Sequence, residues 1–140
     1  MAVHLRCVRV SRQDVADSPS RALRTPRPSM TPFTHPEPAR EEVDTMRGPV
    51  LVEFGTSWCG HCRAAQLPIA EALAAHPRVR HMRIEDGPGR RLGRSFGVKL
   101  WPTLVFLADG REALRLVRPR DRAPIAAALD RIDPGDDGPP

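Results

Sequence analysis

Tyrosine is absent from this 140-residue chain, and its aromatics amount to two Trp and four Phe. Lysine is almost absent too: Lys99 is the only one among 22 basic residues. A basic complement made almost wholly of Arg matches GC-rich coding rather than a binding surface. No apolar run nears the ~20 residues that a membrane-crossing helix needs, so no membrane span is expected. The N-terminus also lacks the apolar core of roughly 7–15 residues that marks a secretory signal. A cytoplasmic location is therefore the default expectation, with an Arg- and Ser-rich, acid-poor organelle transit peptide as a minor alternative. Cysteine is scarce, limited to Cys7, Cys59 and Cys62. In a reducing compartment a cysteine pair is more often catalytic or metal-binding than structural.

The charge is less telling than it looks. A net charge of +5 suggests nucleic acid until it is located. Residues 1–30 hold six Arg against Asp14 and Asp17, which accounts for +4 of the +5, and the remainder is nearly neutral. The excess reports a basic tail on an ordinary domain, and no nucleic-acid partner is expected. With 40% apolar residues the chain can bury a core of one domain. Residues 1–30, rich in Pro, Arg and Ser, have little to bury and are expected to be a disordered extension. Met30 lies at its end, and whether residues 1–29 belong to the native protein is open to mass spectrometry of native material. The domain is expected over 31–132, followed by a flexible tail, 133–140.

Within the domain, order is expected to begin near Thr31 with a short extended piece. "PAREEVDTM" (38–46) reads as a helix, with Pro38 near its start, acids in its first turns and Gly48 beyond its end. "PVLVEF" (49–54) is the short β-rich run of a buried central strand. From Cys59 to His76 the composition is helical, and Pro68 inside it predicts a kink. "VRHMRIE" (79–85) alternates like a half-buried strand, and 87–97 reads as loop, short helix, loop. "TLVFLADGREALRLV" (103–117) is a hairpin around Asp109-Gly110, and 121–132 is a closing helix. The fold class is α/β, with a central mixed sheet flanked by helices.

The pattern that carries chemistry is "EFGTSWCGHCRAA" (53–65). Cys59 and Cys62 fall on the first turn of a helix that follows a strand. Free N–H groups and the positive end of the helix dipole stabilise a thiolate there, so the thiol becomes reactive at neutral pH. Cys59, nearer the helix end, is the candidate nucleophile and Cys62 the candidate resolving thiol. Zinc competes with this redox reading, as does an inert pair. Structural zinc wants four ligands, commonly from two knuckles. Here there is one knuckle, Cys7 is far away in the tail, and His61, His76 and His81 show no ligand spacing.

"VEFGTSWCGHC" resembles the active-site strand and turn of the thioredoxin superfamily, and its Glu-Phe and Gly-His choices are similar to the catalytic domains of protein disulfide isomerase. "FGVKLWPTLVFLADG" resembles the segment that carries that family's cis-proline and hairpin. The likeness covers about residues 31–132 and implies a thioredoxin fold. It also implies a thiol–disulfide oxidoreductase that reduces protein disulfides through a mixed disulfide. It implies Cys59 and Cys62 as a redox-active disulfide, with no organic cofactor and no metal. The partners it implies are disulfide-containing proteins and a thioredoxin-reductase-like or glutathione electron donor, with the chain acting as a monomer.

Further roles follow residue by residue from the resemblance. Glu53, where the family keeps a buried acid, is expected to have its pKa raised by desolvation and to deprotonate Cys62. The bland reading of Glu53 is a solvated acid at a sheet edge. His61, between the cysteines, is expected to stabilise the Cys59 thiolate and shift the potential toward the oxidising side; otherwise it is an exposed His without effect. Trp58 is expected to shield the turn. Pro102 is expected to be cis and to offer main-chain groups to an extended substrate. Trp101 is bulkier than the family's usual residue and reads as a substrate platform, a lid over the sulfurs, or core. Arg118 stands where the family has a groove-lining Gly, which puts groove shape in question. Arg120 matches a mobile isomerase Arg, though a solvated charge explains it as well. The second class of function is a redox switch or binding module on the same scaffold.

Overall fold

A buried acid in the middle of a sheet needs a particular architecture around it, and the computed structural model, which describes residues 30–135, supplies one. The strands are β1 (Pro49–Gly55), β2 (Arg80–Glu85), β3 (Thr103–Ala108) and β4 (Arg111–Val117). They form one sheet in the order β2-β1-β3-β4, with β1 parallel to β2 and antiparallel to β3, and β3 antiparallel to β4. The expected mixed sheet is therefore present. β1 and β3 take the centre, each buried on both faces and apolar save for Glu53 and Thr103. β4 lies at an edge and is only partly buried.

Four helices flank the sheet: α1 (Arg40–Asp44), α2 (Gly60–Ala74), α3 (Leu92–Ser95) and α4 (Arg122–Ile132). One face of the sheet packs Leu51, Leu104 and Phe106 against Ile69 of α2 and Ile125 and Leu129 of α4. The other packs Val50, Val52, Phe54 and Val105 under Val43 of α1 and Leu92 and Phe96 near α3. The extended piece expected near Thr31 is present as a parallel bridge from Phe33 to Arg83, with the Thr34 N–H bonded to the Arg83 carbonyl at 2.7 Å.

The structure trims several expected elements. α1 is shorter than 38–46, since Ala39 stays extended as its N-cap and the helix ends at the Thr45 cap. α2 begins one residue after Cys59, which is its N-cap, and runs through Pro68 as a single helix. The extension read over 1–30, apart from Met30, lies outside the described residues, as do Cys7 and residues 136–140 of the tail.

The hairpin shows how local sequence sets geometry. Asp109 and Gly110 have φ of +50° and +79°, the two left-handed positions that a tight two-residue turn requires. Asp109 also ties the turn to the start of β1: its Oδ1 accepts from the Gly48 N–H at 2.8 Å. A Cβ at Gly110 would run into the Asp44 carbonyl oxygen, which is backbone and cannot rotate away. Gly110→Ala should therefore destabilise the domain by roughly 1–3 kcal/mol, read as a lowered denaturant midpoint at unchanged slope.

Candidate functional site

The chain leaves β1 at Gly55, turns through Thr56-Ser57-Trp58 and enters α2, which places both cysteines at the carboxyl end of the central strand. Cys59 sits in extended conformation (φ −74°, ψ 122°) as the N-cap of α2, and its sulfur accepts the Cys62 N–H at 3.4 Å. A cap site is where a Ser or Asp oxygen ordinarily satisfies a free helix N–H, and here a thiol fills it. Both cysteines are free thiols. Cys59 retains 9% exposure, whereas Cys62 has 1%.

That difference in burial separates their chemistry. Burial alone would push the Cys59 thiol up, but the Cys62 N–H, the Cys62 thiol, the His61 N–H and the Arg118 charge outweigh it, and its pKa lies below the ordinary thiol value. Cys62 is pushed up to about 12, first by burial. The Cys59 sulfur and the Glu53 charge push the same way, opposed by the Thr56 N–H. Cys62 Sγ also lies so close to β1 that a Cβ at Gly55 would come within 2.6 Å of it. Position 55 has no room for a side chain while the thiol stays where it is.

Glu53 is 2% exposed and faces α2, so the solvated sheet-edge reading does not describe its position. Its Oε1 accepts from Gln66 Nε2 at 2.5 Å, and the same Gln66 nitrogen donates to the Cys62 carbonyl at 3.0 Å. Its Oε2 lies 2.9 Å from His81 Nε2. Arg83 Nε is 3.4 Å from Oε1 but has no hydrogen-bond partner. Gln66, His81 and Arg83 are the neighbours that the sequence reading missed. A signal was available: the alternation of β2 puts His81 and Arg83 on one face, opposite Met82 and Ile84. Two polar side chains on the inner face of a strand call for a buried polar partner.

Trp58 is 71% exposed and meets Trp101 edge-on, with ring centroids 5.7 Å apart. Trp101 is half-buried beside the turn rather than part of the core, and its indole N–H donates to Asp86 Oδ2 at 2.8 Å. The Trp101–Pro102 bond is cis. Arg118 follows β4 with a left-handed φ of +51°, a conformation that suits glycine. Its N–H bonds the Pro102 carbonyl at 2.8 Å and its Nε bonds the Trp101 carbonyl at 3.0 Å. His61 is exposed. With Ala64, Arg118, Pro119 and exposed Arg120 it lines a groove of about 290 Å³ beside the dithiol. A larger hollow of about 850 Å³ lies at the opposite end of the sheet, between α1 and the hairpin, away from both thiols. Among the described residues, no group of three or more His, Cys, Asp and Glu side chains is placed to hold a metal ion. No helix among them is long and apolar enough to cross a membrane.

The thioredoxin family profile matches residues 32–131. This chain belongs to the thioredoxin family. It is a thiol–disulfide oxidoreductase with the thioredoxin fold. Reduced thioredoxin 2 from Pseudomonas aeruginosa superposes with a TM-score of 0.67 at 55% identity, over 74% of this chain and 96% of that one. The thioredoxin of Chlamydia muridarum is 35% identical over 85 residues, 60% of this chain and 82% of that protein. Human protein disulfide-isomerase A2 is 40% identical over 88 residues, 59% of this chain but 17% of that much longer protein.

The split between the two thiols has a direct readout. With iodoacetamide at neutral pH, Cys59 should be alkylated faster than an ordinary thiol, because its pKa is lowered and its thiolate forms at lower pH. Cys62 should stay unmodified until far more alkaline solution. Peptide mapping after timed quenching checks both, and equal labelling of the two at pH 7 would overturn the assignment.

Proposed function

We propose that this protein reduces protein disulfides, with Cys59 as the attacking thiolate and Cys62 as the thiol that releases the product. The observation that carries the reading is the opposed environment of two sulfurs one helical turn apart. Cys59, capped by N–H groups and the more accessible of the two, is poised to attack; Cys62, more deeply buried and held protonated, cannot compete for substrate. Attack by Cys59 breaks the substrate S–S bond and expels one substrate thiolate. Cys62 then loses its proton to Glu53 and attacks Cys59 Sγ, forming the Cys59–Cys62 disulfide and releasing the second substrate thiol. The Gln66 bridge from Glu53 to the Cys62 carbonyl supports that proton transfer by tying the base to the helix turn that carries the thiol.

Trp58, which directly precedes Cys59 and meets Trp101 edge-on, is read with Trp101 and Pro102 as the substrate-binding surface, the main chain at Pro102 pairing an extended segment. The His61 N–H beside the Cys59 sulfur favours its thiolate, and hence the reduced form, which moves the potential toward the oxidising side. A thioredoxin-reductase-like enzyme or glutathione would return the electrons. In a reducing cytoplasm, the location favoured for a monomeric chain of this kind, net flow is toward substrate reduction because the surrounding poise sets direction.

Arg118 favours a second reading. Its guanidinium already occupies the Trp101 carbonyl, one of the main-chain groups that an incoming strand would use. A narrow partner set, and a dithiol that works as a switch rather than a general reductase, would follow. Insulin reduction separates the two. Turnover that Cys59→Ser abolishes supports the reductase, whereas reversible oxidation without turnover supports the switch.

Glu53→Ala should slow resolution of the mixed disulfide by about 10²-fold, the usual worth of a positioned base, and leave the first attack nearly unchanged. Stopped-flow separation of the two steps checks this. An unchanged second step would remove Glu53 from the mechanism.

A further inference from the structure

The surface around the dithiol carries free charge of one sign. The groove of about 290 Å³ beside it holds Arg118 and Arg120, from the link between β4 and α4, opposite His61 and Ala64 of α2. Both arginines are exposed, and among the described residues neither forms an ion pair with a carboxylate. Asp121 follows them as the exposed N-cap of α4 and pairs with neither. Across Trp101 a second hollow, of about 190 Å³, carries exposed Arg94 and Lys99. The acid in that hollow, Asp86, is taken up by the Trp101 indole at 2.8 Å.

Arg118 differs from the other cations in being fixed. Its main chain holds a φ of +51° and its N–H bonds the Pro102 carbonyl at 2.8 Å. Its side chain is anchored as well, Nε donating to the Trp101 carbonyl at 3.0 Å. That leaves the two Nη groups, with four N–H donors in one plane, and among the described residues none accepts from them. A planar fork of this kind matches a carboxylate in geometry and charge. Because the side chain is already ordered, a carboxylate that meets it need not immobilise a free arginine. The guanidinium also lies within electrostatic reach of the reacting sulfur. Against burial, which pushes the Cys59 thiol up, the Arg118 charge is one of the influences that bring it down.

We propose that Arg118, assisted by Arg120, is a specificity-determining residue that selects protein disulfides flanked by acidic side chains: a substrate carboxylate enters the groove and pairs with the Arg118 guanidinium while the neighbouring sulfur meets Cys59. A neutral segment gains nothing in the groove, and a basic one is repelled from both sides of Trp101. The selection acts on the encounter and on the bound complex, so it is sensitive to salt. The inference deepens the reductase reading and rests on it.

The test mixes the pre-reduced full-length protein with either of two synthetic peptides that contain one disulfide and differ only in Glu or Gln beside the cysteines. Acid quenching and chromatography of the peptide give the second-order rate of its reduction, and dithiothreitol supplies the intrinsic reactivity ratio by which the two rates are normalised. The wild type should favour the Glu peptide by about tenfold at low salt, the scale of two exposed charge pairs. The preference should vanish at about 1 M salt, where the screening length is about 3 Å. Arg118→Gly, which suits the left-handed backbone, should lose most of the preference, and Arg118→Lys, which keeps the charge, should retain much of it. The ratio of the two peptides cancels any change in Cys59 nucleophilicity, which an Arg118 variant alters for both alike. Equal normalised rates with the wild type would overturn the selection, as would a preference that salt or Arg118→Gly leaves intact. If the wild type reduces neither peptide, the reductase reading itself falls and the proposal with it.

Discussion

A carboxylate inside a central strand is the constraint around which this domain is arranged. Glu53 lies between β2 and β3 and against α2, with Val52 and Phe54 on either side filling the opposite core. An isolated charge there would cost several kcal/mol, so neighbouring elements must supply polar partners. β2 contributes His81 and Arg83, α2 contributes Gln66, and the segment before α1 contributes Thr31 to orient His81 and a carbonyl to accept from Arg83 Nη1 at 2.8 Å. Phe33 lies against the Arg83 guanidinium, 4.3 Å from ring centroid to cation. The polar cluster thus pins the first described residues to the sheet as well as forming the wall behind the dithiol.

The surface side of the site is organised by main-chain groups rather than by charges. The Cys62 N–H caps the Cys59 sulfur, and the Pro102 carbonyl is taken by the Arg118 N–H. The Trp101 indole is anchored on Asp86, whose own N–H bonds the Gly55 carbonyl at the end of β1. The loops of this rim are tethered to one another and, through Asp86, to the strand end that carries the cysteines. Arg118 is the departure: its side chain lies where a glycine would leave the groove open.

Much of this was legible in the sequence because it depends on local patterns. The apolar run 49–54, the alternation of 79–85, the Asp109-Gly110 turn and the cysteine spacing each predict an element that the structure contains. The flanking helices were legible as existence and type, with ends displaced by a residue or a few because capping geometry decides them. The surroundings of Glu53 were not legible, since they depend on which residues of β2 and α2 lie opposite it. His81 and Arg83 become its partners only through the parallel pairing of β1 with β2, across 28 residues for His81. The same limit applied to Arg118, whose reach to the Trp101 carbonyl depends on a left-handed backbone that a run of Arg and Pro does not announce.

The capping sulfur of Cys59 ties electron transfer to folding. Once ionised, reduced Cys59 gives α2 an anionic cap; in the disulfide that charge is gone and the helix start keeps only a weak neutral acceptor. Whatever free energy the cap contributes to the folded dithiol is therefore also free energy favouring reduction over oxidation. The same quantity can be read in either experiment. About 1.4 kcal/mol of added cap strength would appear as a more stable reduced protein and as a potential raised by about 30 mV. The domain's melting behaviour and its strength as an electron donor are two measurements of one hydrogen-bonded sulfur.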